Sequence, residues 1–113
     1  GASPVGMPLP AIPEAINKGV ISGALNPWEV VTSIRLPEIV GFHSETDPKY
    51  PALYTAVFIL AMNKAKYDSL PADLKKVIDA NSGPETSAFL GRAQQAGDAP
   101  ARKVAADRGN NIY

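Results

Sequence analysis

Apolar positions in this chain change their period several times, and each change marks an element. Leu9, Ile12 and Ile16 share one helical face with Ala15. Pro10 and Pro13 are tolerable only in the first turn of such a helix, and Lys18-Gly19 supplies a charged last turn followed by a stop. The next six residues, VISGAL (20–25), read as a short strand broken by Gly23. Asn26-Pro27-Trp28-Glu29 then carries three helix-start signals in order: a capping Asn, a Pro at the first helical position and a Glu at the third. The spacing predicts a helix beginning at Asn26 and running from Pro27 to about Ile34, before Pro37 breaks the pattern. An extended piece at residues 3–7, among Pro4 and Pro8, completes a strand-helix-strand unit. Connections this tight imply a right-handed crossover with parallel strands. The Asn26 junction then lies at the C-terminal edge of the second strand, where open α/β sheets take their ligands.

Residues 38–43 read as another short strand, and SETDPKYP (44–51) as a polar turn region. LYTAVFILAM (53–62) is the most apolar run in the chain, and its length and Thr, Val and Ile content predict a strand buried on both faces. Asn63 caps a short turn, and Pro71 opens a helix whose Leu70, Leu74, Val77 and Ile78 form one stripe. Asn81-Ser82-Gly83-Pro84 ends or kinks it. Phe89, Leu90 and Ala93 continue a helical face, Gly97 and Pro100 interrupt it, and residues 101–108 form an Ala-rich, charged helix with little to bury. Residues 110–113 start a further extended piece. The fold class is α/β.

Composition narrows the function classes. With 113 residues the chain is one small domain or a piece of a larger one. Hydrophobic residues are 45%, but seventeen are Ala, so the core is thin. Eleven basic residues balance eleven acidic ones, and no basic stripe with interleaved aromatics appears, which argues against nucleic acid and against a membrane surface. With no Cys there are no disulfides and no thiol chemistry. No signal segment or apolar run near 18 residues is present, so the chain as given neither targets nor spans.

The chemistry concentrates at Asn26. A strand running into a helix N-terminus leaves backbone N–H groups that favour carboxylates and phosphates. Asn26 is either a simple cap or a cap whose NH2 group also donates outward, and the two roles are compatible. Trp28, the only Trp, is either a core anchor or the apolar wall beside those donors. His43 has Ser44, Glu45 and Asp47 nearby, but such adjacent residues do not converge on one reacting atom; a surface loop is the plain reading. Neither metal ligands nor a phosphate-binding glycine spacing is present, so no cofactor is expected.

GASPVGMPLPAIPEAINKGVISGALNPWEVV followed by MNKAKYDSLPADLKKVIDANSG resembles the C-terminal half of the substrate-binding receptors of tripartite ATP-independent periplasmic (TRAP) transporters, dicarboxylate-receptor type. The resemblance covers nearly the whole chain. It implies a fragment of a two-lobed, class II-like periplasmic solute-binding protein, with short parallel or mixed strands and a long kinked C-terminal helical segment. Residues 1–43 would belong to the second lobe, 44–70 to a crossing segment containing the buried strand 53–62, and 71–113 to the helical C-terminal segment. The implied function is capture of a small carboxylate-bearing solute in the periplasm for delivery to membrane permease subunits, without catalysis. By the same resemblance Asn26 gives a side-chain amide near the ligand carboxylate, Leu9 stands at an apolar pocket wall, and Trp28 is close enough to be one.

Two departures go with it. Ser22 replaces the Asp common before Gly23 in the family. The family's main carboxylate partner, an Arg, lies upstream of the residue matching Gly1, so no residue here stands in for it. The isolated chain is therefore expected to bind carboxylates weakly or not at all. It is expected to associate with itself around residues 53–62, with the segment after Gly97 extended away from the body. The alternative function is a self-associating module without ligand activity.

Overall fold

In the computed structural model, which describes residues 1–113, a 3-10 turn over Leu9–Ala11 runs directly into helix α1, Ile12–Asn17. Pro10 and Pro13 sit in the opening turns, where a missing N–H costs no hydrogen bond. Gly19 stops α1 at φ +69, a conformation that needs no Cβ. Its N–H donates to the Ile16 carbonyl at 2.9 Å and the Val20 N–H to the Ala15 carbonyl at 2.8 Å, the paired bonds of a Schellman cap.

That cap also explains why residues 20–25 are not the expected strand. The N–H groups of Val20 and Ile21 both turn back onto the Ala15 carbonyl, so they are not offered to a neighbouring strand. Val20 and Leu25 lie exposed. Residues 3–7 likewise have no ladder, and the β-α-β crossover is absent. The parallel pair forms elsewhere: β1, Phe42–His43, runs beside β2, Asn111–Ile112, with Phe42 opposite Asn111 and His43 opposite Ile112. Both strands fall within expected extended pieces, β1 at the end of residues 38–43 and β2 within residues 110–113.

Helix α2, Trp28–Ser33, follows, and a second 3-10 turn spans Leu36–Glu38. Ile12, Val31 and Leu36 form a buried cluster, with Met7, Ile16, Ile21, Trp28, Ile34, Ile39 and Val40 packed around it. The chain divides into two compact units, residues 1–53 with 96–113, and residues 54–95; this cluster belongs to the first.

The second unit holds α3, Lys64–Asp68, and α4, Ala72–Ala80. Asn63 caps α3 as expected, its Oδ1 accepting from the Lys66 N–H at 3.1 Å. The Tyr67 hydroxyl donates to Asp79 at 2.7 Å, and Lys75 Nζ to the Asp68 carbonyl at 2.8 Å, tying α3 to α4. Residues 53–62, by contrast, make no strand in this chain and are exposed, Leu60 to 91%. An apolar run becomes a strand only when another backbone pairs with it, and no such neighbour is present.

Helix α5, Pro84–Asp107, is 24 residues long and continues through both Gly97 and Pro100 instead of stopping there. Its last part belongs to the first unit, where Ala101 and Ala105 are among the most buried residues of the chain. The expectation of an extended tail with little to bury is therefore corrected. Small side chains bring little area but allow close approach, and α5 uses them in that way. Gly109, at φ +80, ends the helix with a second Schellman cap, the Asn110 N–H donating to the Ala105 carbonyl at 3.1 Å. No helix is long and apolar enough to cross a membrane.

Candidate functional site

The entry to α2 is built differently from its sequence signals. Pro27 is the boundary residue, Trp28 the first helical one, and no side chain of the preceding loop caps the helix. An Asn26 cap would claim the Glu29 N–H, the third helical position counted from Asn26. That N–H donates instead to Oδ1 of Asp98, 69 residues further on in α5, at 3.1 Å. A carboxylate of the chain itself thus occupies the anion-favouring junction.

Asn26 is left in an unusual position. Its side-chain Nδ2 is sealed from solvent and has no hydrogen-bond partner. Leaving a buried amide donor unpaired costs about 1–3 kcal/mol. The simple cap reading does not survive, and what remains at Asn26 is a free NH2 group.

Trp28 is tied to the core of the first unit, as the core-anchor expectation had it. Its ring packs against the cluster of Ile12, Val31 and Leu36 and lies 5.1 Å from the His43 ring, tilted by 34°. Its Nε1–H donates to Glu45 Oε2 at 3.1 Å. Glu45 is in turn gripped by Arg102 of α5, whose Nη2 and Nε lie 2.7 and 3.0 Å from Oε1. Arg102 holds the Glu45 carboxyl below its usual range, with partial burial opposing and the indole N–H adding a smaller push in the same direction. The Arg102 guanidinium is raised in response. His43 is not on a surface loop: it is half-buried in β1, with Nε2 3.1 Å from Asn110 Oδ1.

Leu9 lies in the first 3-10 turn, 40% exposed and outside the apolar cluster. A separate groove of about 500 Å³ lies between Pro10 and Pro13 on one side and Ile34, Arg35 and Glu38 on the other. None of Asn26, Leu9 and Trp28 lines it. Arg35 is left-handed there, at φ +57, and its guanidinium meets Glu38 at 2.6 and 2.9 Å.

The sequence reading missed Asp98, Glu45 and Arg102 because their partners are distant in the chain. Gly97 was the available signal. A Cβ on Gly97 would come within 2.9 Å of the Glu29 Cβ, so this glycine marks a close approach of α5 to α2, not a break in α5.

Comparison with known proteins places the chain. The model for bacterial extracellular solute-binding proteins, family 7 (DctP), matches residues 1–113. A TRAP solute-binding protein from Rhodoferax ferrireducens T118, crystallised with copurified benzoate, is 62% identical and superposes with a TM-score of 0.95. A TRAP solute-binding protein from an unidentified marine microbe, specific for aromatic acid ligands and crystallised with metahydroxyphenylacetate, is 44% identical, with a TM-score of 0.90. Each match covers 100% of this chain and 35% of the other, so the chain spans about a third of the length of these structures. The chain belongs to family 7 of the bacterial extracellular solute-binding proteins, the DctP family of substrate-binding receptors, and its mixed fold of dominant helices and a small parallel sheet is that of a fragment of a two-lobed TRAP receptor.

Proposed function

We propose that this chain is part of a TRAP receptor that captures a small aromatic carboxylate in the periplasm and delivers it to membrane permease subunits, with Asn26 donating to the ligand. The observation that carries the reading is the buried, unpartnered Nδ2 of Asn26. A neutral amide donor suits a carboxylate oxygen, and ligand binding would relieve the cost of leaving that donor unpaired. The choice of an aromatic acid rests on the two relatives, crystallised with benzoate and metahydroxyphenylacetate. Trp28 contributes an indole edge beside Asn26, and Leu9 an apolar wall facing the part of the receptor beyond these residues. In the same reading residues 1–43 serve the second lobe, 44–70 the crossing segment and 71–113 the helical C-terminal segment. Calorimetric titration of the receptor at its relatives' full length, with benzoate, metahydroxyphenylacetate and succinate, tests the assignment. Tight binding of the aromatic acids over succinate is expected; preference for succinate refutes the aromatic class.

A second reading applies to the 113-residue chain alone. Leu53, Val57, Phe58, Ile59 and Leu60 are all more than half exposed, a surface that favours self-association over ligand binding.

A further inference from the structure

Building on the reading of Asn26 as a ligand donor, we infer that Asp98 is a positioning residue for it: by taking the Glu29 N–H, Asp98 keeps Asn26 from becoming the cap of α2. Two claimants exist for that N–H. Asn26 is the local one, followed by Pro27 and with Glu29 three residues on, a strong N-cap signature. Asp98 is the remote one, and it holds the bond at 3.1 Å. A carboxylate is the better acceptor at a helix start because it is charged. With the donor taken, the helix begins at Trp28 and the Asn26 amide has no backbone duty.

The remainder of α5 is arranged to keep Asp98 in place. Gly97 permits a backbone approach that any Cβ would obstruct, since that atom would lie 2.9 Å from the Glu29 Cβ. Ala101 and Ala105 follow Gly97 at intervals of four, on one side of the helix, and are 3% and 0% exposed. Arg102 follows Asp98 at the same interval and reaches Glu45, which holds the Trp28 indole. Arg108 Nε donates to the Pro37 carbonyl at 3.2 Å. Three polar links along α5 thus fix the entry, the indole and the exit of the α2 region.

The consequence is a change in the population of the binding-competent Asn26. Without Asp98, capping by Asn26 becomes the best use of the Glu29 N–H, and apparent affinity falls by the fraction of molecules in which Asn26 is diverted. The test is a set of variants of the full-length receptor titrated with benzoate. Asp98→Ala should weaken binding about five- to tenfold, the range expected if an Asn cap competes for the donor. Asp98→Asn, which keeps an acceptor oxygen, should stay within about threefold of the parent. Asn26→Ala should weaken binding in the parent and have much less effect in the Asp98→Ala background, because there Asn26 is already diverted. If Asp98→Ala does not fold, Gly97→Ala, which pushes α5 off Glu29, should give the same loss and the same masking of Asn26→Ala. Full additivity of the two substitutions, or unchanged affinity in Asp98→Ala, overturns the positioning role while leaving Asn26 as a ligand donor. Unchanged affinity in Asn26→Ala itself overturns the site reading, and the inference with it.

Discussion

Replacing Val57 with Lys and Leu60 with Glu should convert the isolated 113-residue chain from a self-associating species into a monomer. In residues 53–62, Leu53, Val57, Phe58, Ile59, Leu60 and Met62 are 76%, 79%, 53%, 84%, 91% and 47% exposed. Together they leave bare the equivalent of roughly four apolar side chains, each worth about 1.5–3 kcal/mol when buried. Covering that surface on two chains gains about 12–24 kcal/mol, against about 4–15 kcal/mol for lost freedom. The central difference, about 8 kcal/mol, corresponds to a micromolar dissociation constant. The two substitutions remove the most exposed positions and place charges where a partner would have to desolvate them. Light scattering coupled to size exclusion at tens of micromolar reads the outcome. A parent chain already at 11.9 kDa, or a variant that associates as strongly as the parent, refutes the reasoning.

Three further outcomes concern α5, its end and the residues it contacts. Ala105→Leu adds volume at a position with no exposed surface and should lower stability by about 1–3 kcal/mol, measured by thermal or urea unfolding; an unchanged midpoint would show that α5 has room there. Because Arg102 depresses the Glu45 pKa, this pair stabilises the fold above the usual carboxylate range and the contribution is lost as pH falls through the depressed value. Acid titration of Trp28 fluorescence should therefore show a transition below pH 4.5 that Glu45→Gln removes, and a transition that persists in the variant would assign it to another group. Gly109→Ala places a Cβ at φ +80 and should cost about 1 kcal/mol, whereas the same change at Gly91, inside α5 with open space around it, should be neutral or stabilising.

What the sequence made legible was local. The Lys18-Gly19 stop, the Asn63 cap and the helix after Pro71 depend on residues within one or two turns of each other, and each stands in the structure. What it hid was pairing across distance. The run 53–62 has the composition of a buried strand, but a strand is defined by a second backbone that composition does not reveal. Asn26 shows the same effect in the site: every local signal made it a cap, and a carboxylate 69 residues away from Glu29 took the position. Gly97 and Pro100 looked like punctuation because both lower helix propensity, yet tertiary contact outweighed it: the missing side chain of Gly97 is what lets α5 reach Glu29. Leu9 was named as a pocket wall on resemblance alone, whereas Trp28 stood out as the only Trp and proved to be wired to Glu45, His43 and the core together.

The most direct test of the central claim is benzoate titration of the full-length receptor against its Asn26→Ala variant. Pairing the buried Nδ2 of Asn26 with a ligand oxygen predicts a loss of about 1–3 kcal/mol, roughly five- to 150-fold in dissociation constant, with the fold intact by circular dichroism. An Asn26→Ala receptor that binds benzoate as tightly as the parent would contradict the account.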